Sequence, residues 1–548
     1  MKRFAVLVLA LALAFSFTAC SRVQKSGTVG PNGQINSWTI PHVLRYATAE
    51  DISSLNPVLT QQSTLSLMSS LTMAWLTKWN AQNKPVPELL TVEPTKANGG
   101  ISPDGKTITW HLRHGVRWSD GAPFTADDVV WSIHAIMNPA NDIVSRTGWD
   151  LIDKIQEPNK YTVILHLKHP YSPFITTFFS SADANPCVLP KHLLAKYPNI
   201  NNVPYNSLPV GIGPFKYKRW NRGQDVVMVP NPLYFRGLPK LKKIIFEIIP
   251  NRDTVLTQMQ AKQLDLWMYV SPAYVNRLKA MTPFKVSVKP DYYYDHIDFN
   301  LSHPKVASLA VRRALRYATP LARINRKIRH NIGNLQDQPN PKSAPYWVHG
   351  IGYTHYNIAK ANEILDKAGW KRGPDGIREK NGVRLMLDLA TVVGTPDTDN
   401  IIELMRESWK KIGVGLSVRH YSSAEFFAPY QNGGIVYGNS WDVTMFAWGN
   451  DPLGDYSFIY RCNQFPPNGQ NDLRWCDPKA DAAMKALFSH FTQRERNADV
   501  AILTKQFVKE VPSIVTDGRM AIYAYNRDLK HFHPGVLAPF DNMMKVDI

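Results

Sequence analysis

Residues 110–133 read WHLRHGVRWSDGAPFTADDVVWSI and contain a strand, a turn and a helix in close succession. Apolar side chains alternate over 108–112 and, after a turn at Gly115, over 116–118, which predicts a short strand with one buried face. The tripeptide SDG at 119–121 is typical of a tight turn. The stretch therefore places a buried strand directly before whatever element follows.

The element that follows is predicted to be an amphipathic helix. Thr125 is a favourable N-cap, and Asp128 stands where a capping box needs an acid. Apolar residues over 129–137 recur at helical spacing, and Asn138-Pro139 ends the pattern. Both ends of this helix are thus defined by local sequence alone.

The pattern LR.GV.WSDG.PFTA.DV in this region resembles the signature of the family 5 extracellular solute-binding proteins, the oligopeptide and dipeptide receptors of bacterial ABC importers. Two further stretches resemble the same family and lie in the same order along the chain. Residues 42–57 read as a strand followed by a turn, and VGIGPFKYKRWNRGQDVVMVPNPLYF at 210–235 reads as a glycine-rich turn followed by two strands. The resemblance therefore covers nearly all of the chain after its first 37 residues.

Short strands and helices alternate along the chain, which predicts an α/β protein with mixed sheets. The resemblance implies a two-lobed, type II periplasmic-binding-protein fold of the Venus-flytrap kind, with an extra third subdomain and a hinge of crossing strands. The predicted division is lobe 1 (subdomain I) at 38–80, 208–297 and 528–548, subdomain II at 81–207, and lobe 2 (subdomain III) at 298–527.

The first residues are predicted to be an export signal. Lys2 and Arg3 precede an apolar run over 4–17 that is too short to span a membrane, and small residues lead to Cys20. The pattern resembles a lipoprotein signal at 1–19, with lipidation of Cys20 and a polar tether over 20–37. Plain secretion is the alternative. Either way the protein is expected in the periplasm or, lipid-anchored, at the outer face of the cell membrane.

The formal charge of +19 over 548 residues is strongly basic. Lys and Arg are scattered, without a basic arm or a recognition motif, so nucleic acid is not a predicted partner. A cationic surface beside an anionic membrane is the simpler interpretation. The sequence also lacks G-x-S-x-G and H-E-x-x-H motifs, so we expect no enzyme activity and no cofactor.

Cys462 and Cys476 flank a segment rich in Pro, Asn and Gly. In an exported protein such a pair is expected to form a disulfide that closes a surface loop. A metal site is the alternative, but no further ligand stands at suitable spacing. Cys187 is expected to be a buried apolar residue.

The candidate ligand site is SWDVTMFAWGNDPLGDYSF at 440–458, an apolar strand that runs into a polar loop. Ligands of α/β folds bind where strands end, which favours Ala447 and Trp448 at the end of the strand. In peptide-binding relatives a Trp-x-x-Asp loop presents an acid to the α-ammonium group of the ligand, which corresponds here to Asp451. Because the following residues depart from the family pattern, Asp455 is an alternative to Asp451.

Each of these residues also has a structural interpretation. Asp451 could cap a helix that begins at Pro452, and Trp448 could be a core residue. From the first lobe, the resemblance implies a contribution from Ser54 and Asn56.

The resemblance implies a receptor, expected to be a monomer, that captures short peptides between its lobes and delivers them to the permease subunits and cytoplasmic ATPases of an ABC transporter. One alternative keeps the fold and changes the ligand to a nickel chelate, haem, an opine or an oligosaccharide. Others are an exported hydrolase, or a surface chaperone or adhesin that works without a transporter.

Overall fold

The computed structural model describes residues 36–48, 52–60, 62–143, 146, 148–182, 186–393, 396–428 and 430–548. The predicted signal at 1–19, Cys20 and all but the end of the tether lie outside the described residues. Within those ranges, no helix is both long enough and apolar enough to cross a membrane.

The strands belong to one large sheet and three small ones. In chain order they are β1 (Val43–Thr48), β2 (Thr77–Trp79), β3 (Pro85–Pro87), β4 (Thr107–His111), β5 (Ile152–Asn159), β6 (Thr162–Leu167), β7 (Phe215–Asn221), β8 (Asp225–Pro230), β9 (Lys243–Ile248), β10 (Leu266–Met268), β11 (Phe284–Phe299), β12 (Lys371–Arg372), β13 (Arg378–Lys380), β14 (Val383–Arg384), β15 (Met386–Val392), β16 (Gly415–Tyr421), β17 (Val443–Gly449) and β18 (Ser513–Asn526).

Helices cover both faces of the large sheet and fill the segments between strands. They are α1 (Ser63–Thr72), α2 (Ala126–Met137), α3 (Phe174–Thr177), α4 (Lys191–Leu194), α5 (Arg252–Gln260), α6 (Val275–Lys279), α7 (Pro304–Ala307), α8 (Leu309–Ala318), α9 (Leu321–Lys327), α10 (Ile358–Lys367), α11 (Pro396–Lys410), α12 (Ser423–Phe426), α13 (Ser457–Tyr460), α14 (Pro478–Leu487) and α15 (Gln493–Glu510).

The large sheet has ten strands in the order β16-β15-β17-β11-β18-β10-β1-β9-β8-β7. It mixes parallel pairs, such as β1 with β9, and antiparallel pairs, such as β11 with β17. The two longest strands, β11 and β18, pair antiparallel along most of their length and stand at its centre. The fold is thus α/β with mixed sheets, as predicted, and the large sheet is continuous between the two lobes.

Separate cores lie on either side of the central strand pair. The largest core joins residues 44–268 to the chain end at 521–548, and a second core lies between 297 and 514. Strands β11 and β18 each pass from one lobe to the other. Phe284 and Ile522 belong to a lobe 1 core, whereas Ile297 belongs to the lobe 2 core, so the passage lies near 290–294 on β11 and 518–520 on β18. The predicted limits of lobe 2, at 297/298 and 527/528, lie several residues away from these positions and stay predictions.

The strand, turn and helix predicted over 108–137 fold largely as their sequence indicates. Ile108, Trp110 and Leu112 are all buried. Helix α2 begins after Thr125, whose backbone N–H donates to the Asp128 carboxylate over 3.0 Å in a capping box. The strand, however, ends at His111. Val116 and Trp118 are buried but belong to a turn-rich segment, because Gly115 takes a left-handed φ of 72°.

Two other local patterns give predictions that need correction. The apolar spacing over 65–79 predicts one helix, but the helix ends at Thr72 and the remainder turns into β2, because the chain there pairs with β3. Thr319-Pro320 predicts an N-cap followed by a proline at the first helical position, but Thr319 does not cap α9. Its hydroxyl donates to the Leu315 carbonyl, and Pro320 occupies the N-cap.

The sulfur atoms of Cys462 and Cys476 lie 2.08 Å apart, at disulfide-bonding distance. Cys187 is free and buried, as expected. Asn471 fastens the loop from inside, since its side-chain amide donates to the Arg461 and Trp475 carbonyl oxygens over 3.0 and 2.8 Å. The loop is therefore tied at its neck and at its centre.

Two glycines of the family-like stretch at 210–235 lie against the end of α1. The Gly213 N–H donates to the Thr72 carbonyl over 2.9 Å, and a Cβ at Gly211 would stand 2.0 Å from that same oxygen. A side chain at Gly211 would therefore push α1 away from the strand that follows. Because α1 forms one wall of the interlobe cleft described below, this contact also fixes the position of that wall.

We expect Gly211→Ala to lower the free energy of unfolding by about 1–3 kcal/mol, the usual cost of overpacking. Gly352→Ala is the matched control, since no atom lies within 4 Å of its Cβ position and its φ is ordinary. Urea denaturation of both variants measures the difference. Equal stability of the two variants would contradict the role assigned to Gly211.

Candidate functional site

A cavity of 420 Å³ lies between the two lobes, over the middle of the central strand pair. This volume falls within the range of roughly 300–1,000 Å³ that is typical of small-ligand sites. Lobe 1 contributes α1, Trp75, Lys78 and the segment 536–541, whereas lobe 2 contributes the end of β17 and the residues that follow it. Both lobes and both central strands therefore form the walls, as a site that closes around its ligand requires.

One face of α1 supplies hydroxyl groups to the cavity. Ser63, Ser66, Leu67 and Ser70 share this face because they are three, four and seven residues apart. The Ser70 hydroxyl donates to the Leu67 carbonyl over 2.7 Å, which leaves its oxygen available as an acceptor. This wall is thus polar but uncharged.

The floor of the cavity is a bulge in β11. Pro290 pairs with Met520 and Tyr294 pairs with Gly518, so the residues 291–293 stand opposite Arg519 alone. A bulge re-aims the side chains of the bulged strand. Here Asp291, Tyr292 and Tyr293 all line the cavity, and the Tyr293 ring is the exposed one of the two tyrosines.

Tyr293 depends on a glycine across the sheet. It pairs with Gly449, and a Cβ at that position would stand 3.0 Å from the tyrosine ring. The missing side chain at 449 lets the ring lie against the backbone of β17. Tyr293 and Tyr269 both remain partly exposed, so the cavity presents aromatic surface to its contents.

A buried ion network lies under the bulge. Asp295 accepts hydrogen bonds from Arg519, the shortest 2.7 Å, and from Arg329 over 2.8 Å, while Arg329 also lies 3.3 Å from Asp517. Burial alone would raise the pKa of Asp295, but the two guanidinium groups outweigh it and hold that pKa below its ordinary value. Burial raises the pKa of Asp517 to about 8 against the attraction of Arg329. Arg519 lines the cavity, and its positive charge is paired with the Asp295 carboxylate below it.

The predicted Trp-x-x-Asp loop lies beside the cavity, but neither Trp448 nor Asp451 is among the residues that line it. The lining residues from this loop are Gly449, Asn450 and Pro452. Trp448 instead packs against Phe446, with ring centroids 5.2 Å apart. Trp448 is thus partly buried and packs against two apolar clusters of lobe 2.

The Asp451 carboxylate is directed into its own loop. It accepts hydrogen bonds from the backbone N–H of Leu453 over 2.7 Å and of Asp455 over 3.4 Å, and from the Thr176 hydroxyl. Burial, reinforced by the neighbouring Asp455 carboxylate, raises the pKa of Asp451 to about 7. It caps a turn and not a helix, since Pro452 does not begin one.

The other predicted site residues lie outside the cavity lining. Asp455 accepts from the Ser457 N–H over 2.8 Å, and burial raises its pKa. Ala447 pairs with Asp295 inside the sheet. Asn56 is fully buried and donates to Asn206 over 2.9 Å, while Ser54 accepts from the Asn56 N–H; of that segment, Pro57 reaches the cavity.

Sequence reasoning missed most of the residues that do line the cavity. The serine spacing on α1 carried a usable signal, since a polar face on an otherwise apolar helix is unusual. The bulge in PDYYYDHIDF carried none, because the sequence reads as a simple strand and only its pairing partners define the bulge.

Comparison with known proteins identifies the family of this chain. The family model of the bacterial extracellular solute-binding proteins, family 5 (Middle), matches residues 84–470. The chain belongs to this family. Among curated relatives, the oligopeptide-binding protein AppA of Bacillus subtilis is 24% identical over 428 residues, which is 76% of this chain and 75% of that protein.

Solved structures of the same fold agree. The structure of AppA from Bacillus subtilis in complex with a nonapeptide superposes with a TM-score of 0.76 at 21% identity and covers 92% of this chain and 98% of that one. NikZ from Campylobacter jejuni in complex with Ni(L-His) gives a TM-score of 0.76 at 23% identity, with 92% and 99% covered. These family 5 structures carry the type II periplasmic-binding-protein fold.

The raised pKa of Asp451 predicts a pH-dependent stability. The unfolded acid ionises near pH about 3.9 and the folded one near 7, so between these values the folded state binds the extra proton. Stability attributable to this group therefore falls as pH rises through that window, by about 1.4 kcal/mol per pH unit at most. Asp451→Asn cannot ionise yet keeps the acceptor for Leu453.

We therefore expect Asp451→Asn to gain stability relative to the parent as pH rises from 4 to 7, with the gain level above that. Urea denaturation at several pH values measures it. Asp153→Asn, at an exposed position on β5, controls for the change in net charge. A constant difference between Asp451→Asn and the parent at all pH values would contradict the assignment.

Proposed function

We propose that this protein captures short peptides in its interlobe cleft and delivers them to an ABC importer. The observation that carries the proposal is the cavity itself, which both lobes and the central strand bulge enclose. Membership of the family and the peptide named in the AppA complex support it. The volume of 420 Å³ favours a ligand of a few residues.

The walls suit a ligand that is read mainly by its backbone. Serine hydroxyls on α1 and the main chain at 449–450 offer hydrogen bonds, and Trp75, Tyr269 and Tyr293 offer apolar surface to variable side chains. Ligand contacts that form with both lobes at once favour the closed state, since a ligand shifts an equilibrium only by its differential affinity.

The transport context completes the proposal. The signal at 1–19 exports the chain, Cys20 carries the lipid anchor, and the receptor works as a monomer in the periplasm or on the outer face of the cell membrane. Permease subunits with cytoplasmic ATPases receive the peptide. The receptor itself catalyses nothing and needs no cofactor.

A metal chelate is the second candidate, because NikZ is recorded with Ni(L-His). The lining argues for peptides instead. Among the described residues that line the cavity there is no histidine and no cysteine, two of the side chains that bind nickel well.

Native mass spectrometry of the protein purified from the export compartment tests the ligand class. We expect a mixture of short peptides bound in one-to-one complexes. A single non-peptide mass would contradict the peptide assignment and identify the ligand. Protein stripped by partial unfolding and refolding is the control for masses that bind non-specifically.

Filling the cavity tests its location. Ser66→Phe places a ring in the cleft from the face of α1, so we expect at least a tenfold loss of peptide affinity by calorimetry because ligand and ring compete for the same volume. Ser207→Phe, at an exposed turn outside the cavity, is the matched control and should bind normally. Unchanged affinity in Ser66→Phe would move the site elsewhere.

A further inference from the structure

One end of lobe 1 brings together four segments that are distant in sequence. The Lys242 N–H donates to the His42 carbonyl over 2.8 Å, and the His42 N–H donates to the Ile548 carbonyl over 3.1 Å. A β-bridge between Lys530 and Asp547 joins the segment after β18 to the same place. These contacts make one continuous surface, the end face, which comprises residues 36–43, 238–243, 528–531 and 545–548.

The end face carries an excess of unpaired positive charge. Among the described residues, no salt-bridge partner lies within 4.0 Å of its five exposed lysines, Lys240, Lys242, Lys243, Lys530 and Lys545. Its two acidic side chains are bound within the face. Asp547 lies 2.8 Å from the His42 ring, and Asp528 accepts a hydrogen bond from the Asn36 N–H over 2.6 Å. The lysines outnumber these acids even when the α-carboxylate of Ile548 is included.

Two aliphatic side chains are exposed on the same face. Ile40 is 46% exposed, and its carbonyl accepts from the N–H of Val43 at the start of β1. Leu238 is 59% exposed and lies in the loop between β8 and β9, two residues before Lys240. Lysines attract anionic headgroups, and aliphatic side chains enter the boundary between headgroups and acyl chains. The combination matches an anionic lipid surface.

The position of the predicted tether favours a membrane over an acidic protein surface as the partner. Asn36, the first described residue, belongs to the end face. A chain from Cys20 to Asn36 spans at most about 55 Å, at 3.3–3.6 Å per residue. A lipid at Cys20 would therefore keep this face close to the bilayer, where headgroups stand at high effective concentration.

We propose that the end face is a second membrane contact, which binds anionic phospholipid headgroups and holds lobe 1 against the bilayer beside the lipid anchor. The proposal rests on the membrane location proposed above and is independent of the ligand. Phe284, at the start of β11, pairs with Asn526, and Asn526 is hydrogen-bonded to Asn36. The floor of the cleft at 291–293 lies roughly 23 Å further along β11, at 3.3 Å per residue. Contact through the end face therefore leaves the cleft accessible.

Co-sedimentation with vesicles tests the proposal on the mature chain carrying Cys20→Ser, which removes the lipidation site so that only the protein surface can bind. We expect binding to phosphatidylcholine vesicles that contain about one third phosphatidylglycerol, and none to phosphatidylcholine alone. Binding should weaken as salt is added, because ions screen exposed charges. The combined variant Lys240→Gln, Lys242→Gln and Lys243→Gln should bind about tenfold or more weakly, since each lysine near the surface contributes roughly fivefold.

The matched control removes three exposed lysines of lobe 2 by Lys342→Gln, Lys479→Gln and Lys505→Gln. It makes the same change in net charge and should bind within about threefold of the parent. Equal weakening of the two triple variants would assign binding to overall charge and overturn the proposal, as would a parent that ignores the anionic vesicles. Either result leaves peptide binding by calorimetry, and with it the peptide function, untouched. Equal melting temperatures verify that both variants are folded.

A polarity-sensitive dye identifies the face that meets the lipid. Cys187 is buried and Cys462 is bridged, so a thiol introduced at Ile40→Cys is the accessible one. We expect its dye to shift to the blue on vesicle binding. The same dye at Ile502→Cys, an exposed position on α15 of lobe 2, should not shift. A shift at position 502 and none at position 40 would overturn the proposal.

Discussion

The antiparallel pairing of β11 with β18 is the constraint on which the rest of the structure depends. Each strand begins in one lobe and ends in the other, and together they make one sheet of two half-sheets. The pairing is interrupted at residues 291–293 opposite Arg519, and its register shifts a second time between Asp295 and His296. Because a bulge bends the strand that carries it, the two strands bend in this region. The floor of the cleft and the place where the lobes join are therefore one feature.

The buried ion network explains how an interrupted pair stays ordered. Asp295 binds Arg519 from the next strand and Arg329 from the segment after α9. A buried pair contributes little net stability, but removing one partner costs about 3–5 kcal/mol, so such networks fix an arrangement more than they strengthen it. Here the fixed arrangement is the direction of Arg519 beneath the bulge.

Features set by residues close together in sequence could be predicted, whereas features set by residues far apart in sequence could not. The capping box of α2 and the turn at Gly115 are set by residues a few positions apart, and the sequence predicted both. The fold class could be predicted because strands and helices alternate along the sequence and because whole stretches resemble the family. The bulge at 291–293 could not be predicted, because a bulge is defined only by its partner strand. That strand is more than 200 residues away in sequence, as the pairing of Lys289 with Ala521 shows.

The Trp-x-x-Asp loop illustrates the same limit in a single motif. Its place beside the cleft was predictable from the strand that precedes it, but the direction of Asp451 depends on distant groups. Thr176 approaches its carboxylate, and the Tyr346 hydroxyl donates to its carbonyl over 2.6 Å. In the same loop Leu453 is buried in a small cluster with Trp79 of lobe 1 and Ala182 of subdomain II. The loop thus contacts the opposite side of the cleft directly.

A loop that joins the lobes and a bulge that lines the cavity lie within one cleft. Leu453 contacts Trp79 of lobe 1, and Asp451 contacts Thr176 of subdomain II; these contacts exist only when the lobes are together, so they favour closure. An equilibrium already biased in this way needs less differential affinity from the ligand to complete closure. We therefore expect ligand selection to depend on the groups that line the cavity, among them the serines of α1 and the ring of Tyr293.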